Sequence, residues 1–267
     1  MTVRQRNNVR VGGSGPATMV FAHGFGCDQN MWKHMAPNFE SRYRTILFDL
    51  VGSGLSDLTA YDRAKYGSLH GYAADVIEII EEFAESPVIF VGHSVSAMIG
   101  MLASISAPER FLAQVMVGPS PSFINDGSYI GGFTREDIEG LLDTLESNYL
   151  GWSSTMAPAI MGAPDQPELA AELTNSFCRT DPAIAKHFAR VTFLSDHRAD
   201  LPRSTTSALI VQSSDDLLAP VSVGEYMQRT MPRATLALVD NVGHCPHLSA
   251  PNASINAMEA FLGKLVC

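Results

Sequence analysis

Short, nearly continuous apolar runs recur along the chain at Ala17–Ala22, Thr45–Phe48, Val88–Val91, Leu112–Val117, Ala208–Val211 and Thr235–Val239. Runs this short, rich in β-branched residues and lacking a polar alternate, predict strands buried on both faces of a parallel sheet. Helical patterns lie between them. From Tyr72 to Phe83, the residues Val76, Ile79, Ile80 and Phe83 recur at i, i+3, i+4 and i+7 and share one helix face. Parallel strands need long crossovers, usually helical, so the alternation predicts a doubly wound α/β sheet. At this level a Rossmann-like and a hydrolase-like sheet are both open.

The rhythm stops between Ile124 and Leu201. Ile138, Leu141, Leu142 and Leu145 form one helical stripe, and Ile184, Phe188 and Val191 form another behind the capping pair Asp181-Pro182. Pro158, Pro164 and Pro167 read as bounds of the intermediate helices, with Gly131-Gly132 at the entrance. Strand-helix alternation resumes after Leu201. The expected organisation is therefore a core domain made of residues 1–123 and 202–267, with residues 124–201 inserted as a helical lid.

Composition narrows the function classes. The 267 residues carry a net charge of −10, are 46% hydrophobic and 17% charged, and so have ample material for a core. That charge balance argues against a phosphate-neutralising face, so no nucleic-acid partner is expected. The most apolar stretch, Val88 to Ala107, is broken by His93, Ser94, Ser96, Ser104 and Ser106 and does not read as a membrane span. With no apolar run behind the basic residues at the N-terminus, a cytoplasmic location is the default expectation. Cys27, Cys178, Cys245 and Cys267 form no Cys-x-x-Cys pair, so four free thiols and no metal or other cofactor are expected.

The sharpest local feature is an apolar strand entering Gly92-His93-Ser94-Val95-Ser96 and leaving as a small-residue helix. A serine on a tight strand-to-helix turn presents its hydroxyl above the sheet, which makes Ser94 the candidate nucleophile. The usual fifth position is glycine, and here it is Ser96. Such a serine needs a base and a group to orient that base. Asp215 and Asp216 follow the Ala208–Val211 strand, and His244 and His247 follow the next one. Of the histidines, His244 directly follows Gly243 and is the stronger base candidate, while His247 reads as a hydrogen-bonded wall residue. The order Ser, acid, His is that of α/β-hydrolases. Oxyanion donors would be the backbone N–H groups of Phe25, in His23-Gly24-Phe25-Gly26, and of Val95. Two other glycine-rich segments fit nucleotide binding poorly. Gly12-Gly13-Ser14-Gly15 precedes its strand and reads as a hairpin turn, and Asp49 to Ser56 lacks the dinucleotide spacing and a phosphate-binding lysine.

These segments together resemble the α/β-hydrolase superfamily over nearly the whole chain. The stretches GFGCDQ, YDRAKYGSLHGYA, VGHSVSAMIGMLAS, VGPSPSFINDGSYIGGF and GHCPHLS resemble the RsbQ-type bacterial stress-response hydrolases and their plant relatives, the strigolactone and karrikin receptors. The plant receptors share the departure at Ser96. Asp216 is favoured over Asp215 because the run from Asp216 to Pro220 resembles the family's acid turn. The resemblance implies an α/β-hydrolase fold, with a mostly parallel sheet flanked by helices and an inserted four-helix, V-shaped lid. It further implies a Ser94-Asp216-His244 triad and a deep apolar pocket lined by Phe25, Phe123, Phe133, Trp152, Met156 and Phe193. The implied substrate is a small hydrophobic ester or lactone. The implied alternative is a signalling hydrolase that engages a phosphatase-type protein partner.

Overall fold

The computed structural model describes residues 1–265. Its strands are β1 (Arg10–Gly13), β2 (Ala17–Ala22), β3 (Tyr43–Phe48), β4 (Val88–His93), β5 (Phe111–Val117), β6 (Ser207–Asp215) and β7 (Ala234–Val242). The helices are α1 (Val3–Arg6), α2 (Leu69–Phe83), α3 (Val95–Ser106), α4 (Arg135–Ser147), α5 (Tyr149–Met161), α6 (Pro167–Arg179), α7 (Pro182–Phe193), α8 (Val221–Thr230), α9 (Pro246–Ser249) and α10 (Pro251–Leu265). The strands form one seven-stranded sheet in the order β1-β3-β2-β4-β5-β6-β7. It is parallel except for β1, which runs antiparallel to β3.

Side-chain alternation explains why the central strands look uniformly apolar. On β2, Val20 and Ala22 enter a core shared with Ile79 of α2 and Met98 of α3. Met19 and Phe21 enter a second core with Trp32, Phe39 and Met258 of α10. Both faces are covered, as parallel sheets require. A third apolar cluster joins α4 to α7 to the loops that carry Cys27, Leu218 and Cys245. The four helices α4 to α7 lie in sequence between β5 and β6.

Two expectations need correction. Gly12 to Gly15 is not a hairpin turn, because β3 lies between β1 and β2. The chain instead crosses the end of β3 so closely that a Cβ on Gly15 would stand 1.8 Å from the Arg42 carbonyl oxygen. Pro158 does not bound a helix but lies inside α5. Pro158 and Ser154 are both exposed, so the carbonyl that loses its N–H partner opens to water. Cys27, Cys178 and Cys245 are free thiols, while Cys267 lies outside the described residues.

Candidate active site

Ser94 joins β4 to α3 in a conformation rare for an L-residue, with φ 55° and ψ −121°. Neighbouring contacts hold this strained turn. The Ser94 N–H donates to the Val117 carbonyl at 2.8 Å, and the Ala97 N–H closes the first turn on the Ser94 carbonyl at 3.0 Å. Gly92 has no room for a side chain, since a Cβ would meet the Ser96 carbonyl oxygen at 2.5 Å. Ser96 is fully buried and its hydroxyl donates to the His23 carbonyl. Serine in place of the usual glycine therefore ties the elbow to the loop after β2.

His244 follows β7 through Gly243, whose φ of +104° suits glycine alone. Its Nδ1 lies 2.8 Å from Asp216 Oδ2, and its Nε2 lies 2.8 Å from Ser94 Oγ. A carboxylate only accepts, so Nδ1 carries the proton and Nε2 is left to accept from the serine hydroxyl. The Asp216 carboxylate also receives the Leu218 and Ala219 N–H groups at 2.9 and 3.1 Å on Oδ1. Asp215, one residue earlier, is exposed, and its carbonyl accepts from the Gly243 N–H. The structure therefore brings Ser94, Asp216 and His244 together and turns Asp215 to solvent.

The helical segment also reaches these loops. The His244 N–H donates to the Ile160 carbonyl of α5 at 2.8 Å. That carbonyl has no intrahelical partner because α5 ends at Met161, with Gly162 in the left-handed conformation. Gly162, at the end of α5, packs on Gly243 without space for a Cβ on either. On the other side, Ser176 of α6 donates to the Gly26 carbonyl at 2.9 Å, and Arg179 pairs with Asp28 at 3.0 Å.

Phe25 and Val95, the expected oxyanion donors, lie in the loop after β2 and at the start of α3. Val95 is the first residue of α3, so its N–H has no intrahelical acceptor. Phe25 sits inside the turn closed by the Cys27 N–H on the Gly24 carbonyl at 3.3 Å. Its ring is surrounded by those of Trp152, Phe177, Phe188 and Phe193, with centroids 5.6 to 6.3 Å away.

Beside Ser94 and His244 lies a cavity of about 30 Å³. Phe25, Phe123, Trp152 and Phe193 line it as expected, but Phe133 and Met156 do not. Both are half-buried against the outside of the same cluster. Phe133 is held there by its backbone pairing with Phe123 and Asn125. The expected deep pocket is corrected to a small one, because Phe177 packs against Gly26 and aromatic rings occupy the space. Sequence reasoning missed Phe177, Ile160, Leu173, Thr192 and Leu218 as lining residues, along with the thiols of Cys27 and Cys245. The α6 stripe of Leu169, Leu173 and Phe177 was the available signal. Burial raises the pKa of both thiols, so they stay protonated and poorly nucleophilic beside the serine.

His247 is not a hydrogen-bonded wall residue. Fully buried, it packs against His93 and Trp32 in tilted ring contacts with centroids 4.3 and 4.9 Å away, and neither ring nitrogen has a hydrogen-bond partner among the described residues. Burial, then the nearby His244 and His34, push its pKa down to about 3. Burial likewise holds His93 neutral, and its Nε2–H donates to the His244 carbonyl at 3.0 Å.

A family model described as the alpha/beta hydrolase family matches residues 19–257. The karrikin insensitive 2 receptor CA of Petunia hybrida is 40% identical over 254 residues, covering 95% of this chain and 94% of that protein. The strigolactone esterase RMS3 of Pisum sativum is 39% identical over 259 residues, with 96% and 97% covered. A solved hydrolase from Oleispira antarctica superposes with a TM-score of 0.95 at 44% identity, covering 98% of this chain and 96% of its own.

Proposed function

The chain belongs to the α/β-hydrolase family as a carboxylic ester hydrolase, and we propose that it cleaves small hydrophobic esters or lactones through an acyl-enzyme on Ser94. The observation that carries this reading is the continuous hydrogen-bonded chain from Asp216 through His244 to Ser94. In the first half-reaction His244 Nε2 takes the hydroxyl proton as Ser94 Oγ attacks the ester carbonyl. The N–H groups of Phe25 and Val95 receive the developing oxyanion without having to reorganise. The tetrahedral intermediate collapses as His244 returns the proton to the departing alkoxide. A water, deprotonated by the same imidazole, then attacks the acyl-serine and releases the acid. Asp216 holds the imidazole's tautomer and stabilises its protonated form throughout.

The aromatic lining and the absence of any charged side chain in it support an uncharged substrate, since a charged group would lose hydration there without a partner. In this reading residues 124–201 act as the lid, with α4 to α7 closing the cavity. A second reading is a signalling hydrolase that stalls after acylation and engages a protein partner. It is supported by the receptor name of the Petunia relative.

The experiment is hydrolysis of p-nitrophenyl esters from acetate to octanoate by wild type and Ser94→Ala, followed for burst and steady state. Steady turnover on the short esters, lost in the variant, is the expected result. A burst that stalls supports the signalling reading, and full activity in Ser94→Ala overturns both.

A further inference from the structure

Several hydroxyls on the helices α4 to α6 bond back along their own helix. Thr144, Ser153, Ser154, Thr155 and Thr174 each donate to the carbonyl four residues earlier. Thr192 on α7 does not. Only 2% of it is exposed, and its Oγ1 is buried with no hydrogen-bond partner among the described residues. Thr192 also lines the cavity that contains Ser94 and His244. On the same lining, Trp152 Nε1 is buried and equally unpartnered.

Buried polar atoms are nearly always paired, and those left open in a ligand cavity mark where a ligand's polar atom completes them. An indole N–H only donates, whereas a hydroxyl donates or accepts, so an acceptor oxygen suits either group. Ser94 lines the same cavity, so the acyl group, which stays bonded to Ser94 after the first half-reaction, has to be housed there. The cavity's 30 Å³ has room for about two to three water-sized groups.

Building on Ser94 as the nucleophile, we propose that Thr192 is a specificity-determining residue whose hydroxyl pairs with an oxygen of the acyl group beyond the scissile carbonyl. The favoured substrates are then short, oxygen-bearing acyl esters or lactones rather than plain alkanoates of equal length.

The test uses p-nitrophenyl methoxyacetate and p-nitrophenyl butyrate, acyl groups of equal heavy-atom count that differ by one oxygen in place of a methylene. Each kcat/KM is divided by the rate of alkaline hydrolysis of the same ester, which removes the ether's inductive effect. The methoxyacetate-to-butyrate ratio is expected to fall about fivefold in Thr192→Val, which matches threonine in shape, and to be retained in Thr192→Ser. An unchanged ratio in Thr192→Val overturns the proposal. A second measurement needs no turnover: methyl methoxyacetate and methyl butyrate are titrated against Ser94→Ala, with and without Thr192→Val, by tryptophan fluorescence. The same loss of preference is expected in the ratio of Kd values, and its absence again overturns the proposal. If wild type hydrolyses neither ester, the nucleophile assignment fails, and the binding ratio still decides the role of Thr192.

Discussion

The sheet and the four-helix segment above it meet the site through different kinds of contact. In the proposed function the sheet supplies the reactive side chains, from its strand ends. β4 is buried along its whole length, and Ser94 is fixed by backbone bonds to β5 and within its own turn. The helices α5, α6 and α7 supply six of the fourteen residues of the cavity wall, two from each helix. They reach the catalytic loops through a few defined ties, from Ile160 to His244, from Ser176 to Gly26 and from Arg179 to Asp28. His244 is thus anchored from both regions, its side chain by Asp216 and its backbone by α5. Reactivity is built into the core, while room for substrate, and part of the histidine's placement, depend on how the helices sit.

Substitutions can separate the two contributions. On the core side, Asp216→Asn keeps the shape but favours the wrong imidazole tautomer, so kcat is expected to fall by about 10⁴-fold. Asp215→Asn, on the exposed neighbour, is expected to stay within about twofold of wild type, in line with ordinary surface changes. Steady-state kinetics on a short ester checks both, and a reversed ranking moves the acid by one residue.

At the seam, a Cβ on Gly243 would stand 2.0 Å from the Met161 carbonyl oxygen. Gly243→Ala is expected to lower kcat by about 10²-fold, the scale of a displacement near 1 Å. Strain at its positive φ should also destabilise the fold by about 1–3 kcal/mol. Wild-type kcat in Gly243→Ala would show that the seam does not position His244. Gly140, on the exposed face of α4, has nothing within 4 Å of an added Cβ. There alanine should stabilise by about 0.4–1 kcal/mol without changing kcat.

A further effect concerns pH. His247 has its pKa lowered from 6.5 to about 3 in the folded protein. Between those values the unfolded chain binds the proton that the native chain refuses, so stability is full above about 6.5 and is lost as pH falls toward 3. The slope from this one group is at most about 1.4 kcal/mol per pH unit. Urea unfolding at pH 7 and pH 5 should show a smaller loss in His247→Phe than in wild type, and equal losses would remove His247 from the account.

Much of the core was legible because its signals are local. A continuous apolar run, a Gly-x-Ser turn and a small-residue helix are adjacent in sequence, and β4, Ser94 and α3 follow from them. Asp181 could be read as a cap, and it does cap α7 through the Ala183 and Ile184 N–H groups. What was not legible depends on packing between distant segments. β1 pairs with β3 rather than with β2, the next strand in sequence, which no turn pattern reveals. Phe177 enters the cavity while Met156 stays outside, because the facing side of each lid helix is set by its neighbours rather than by its own stripe. The unpartnered hydroxyl of Thr192 and the ring packing of His247 belong to the same class.

The central claim is that Ser94 carries the acyl group. The most direct measurement is acid-quenched mass spectrometry of the protein taken during turnover of p-nitrophenyl acetate, with peptide mapping. The account predicts one acetyl group on the peptide containing Ser94, accumulating further in Asp216→Asn if deacylation slows more than acylation. Turnover with Ser94 unmodified and the acetyl group on another residue would contradict it.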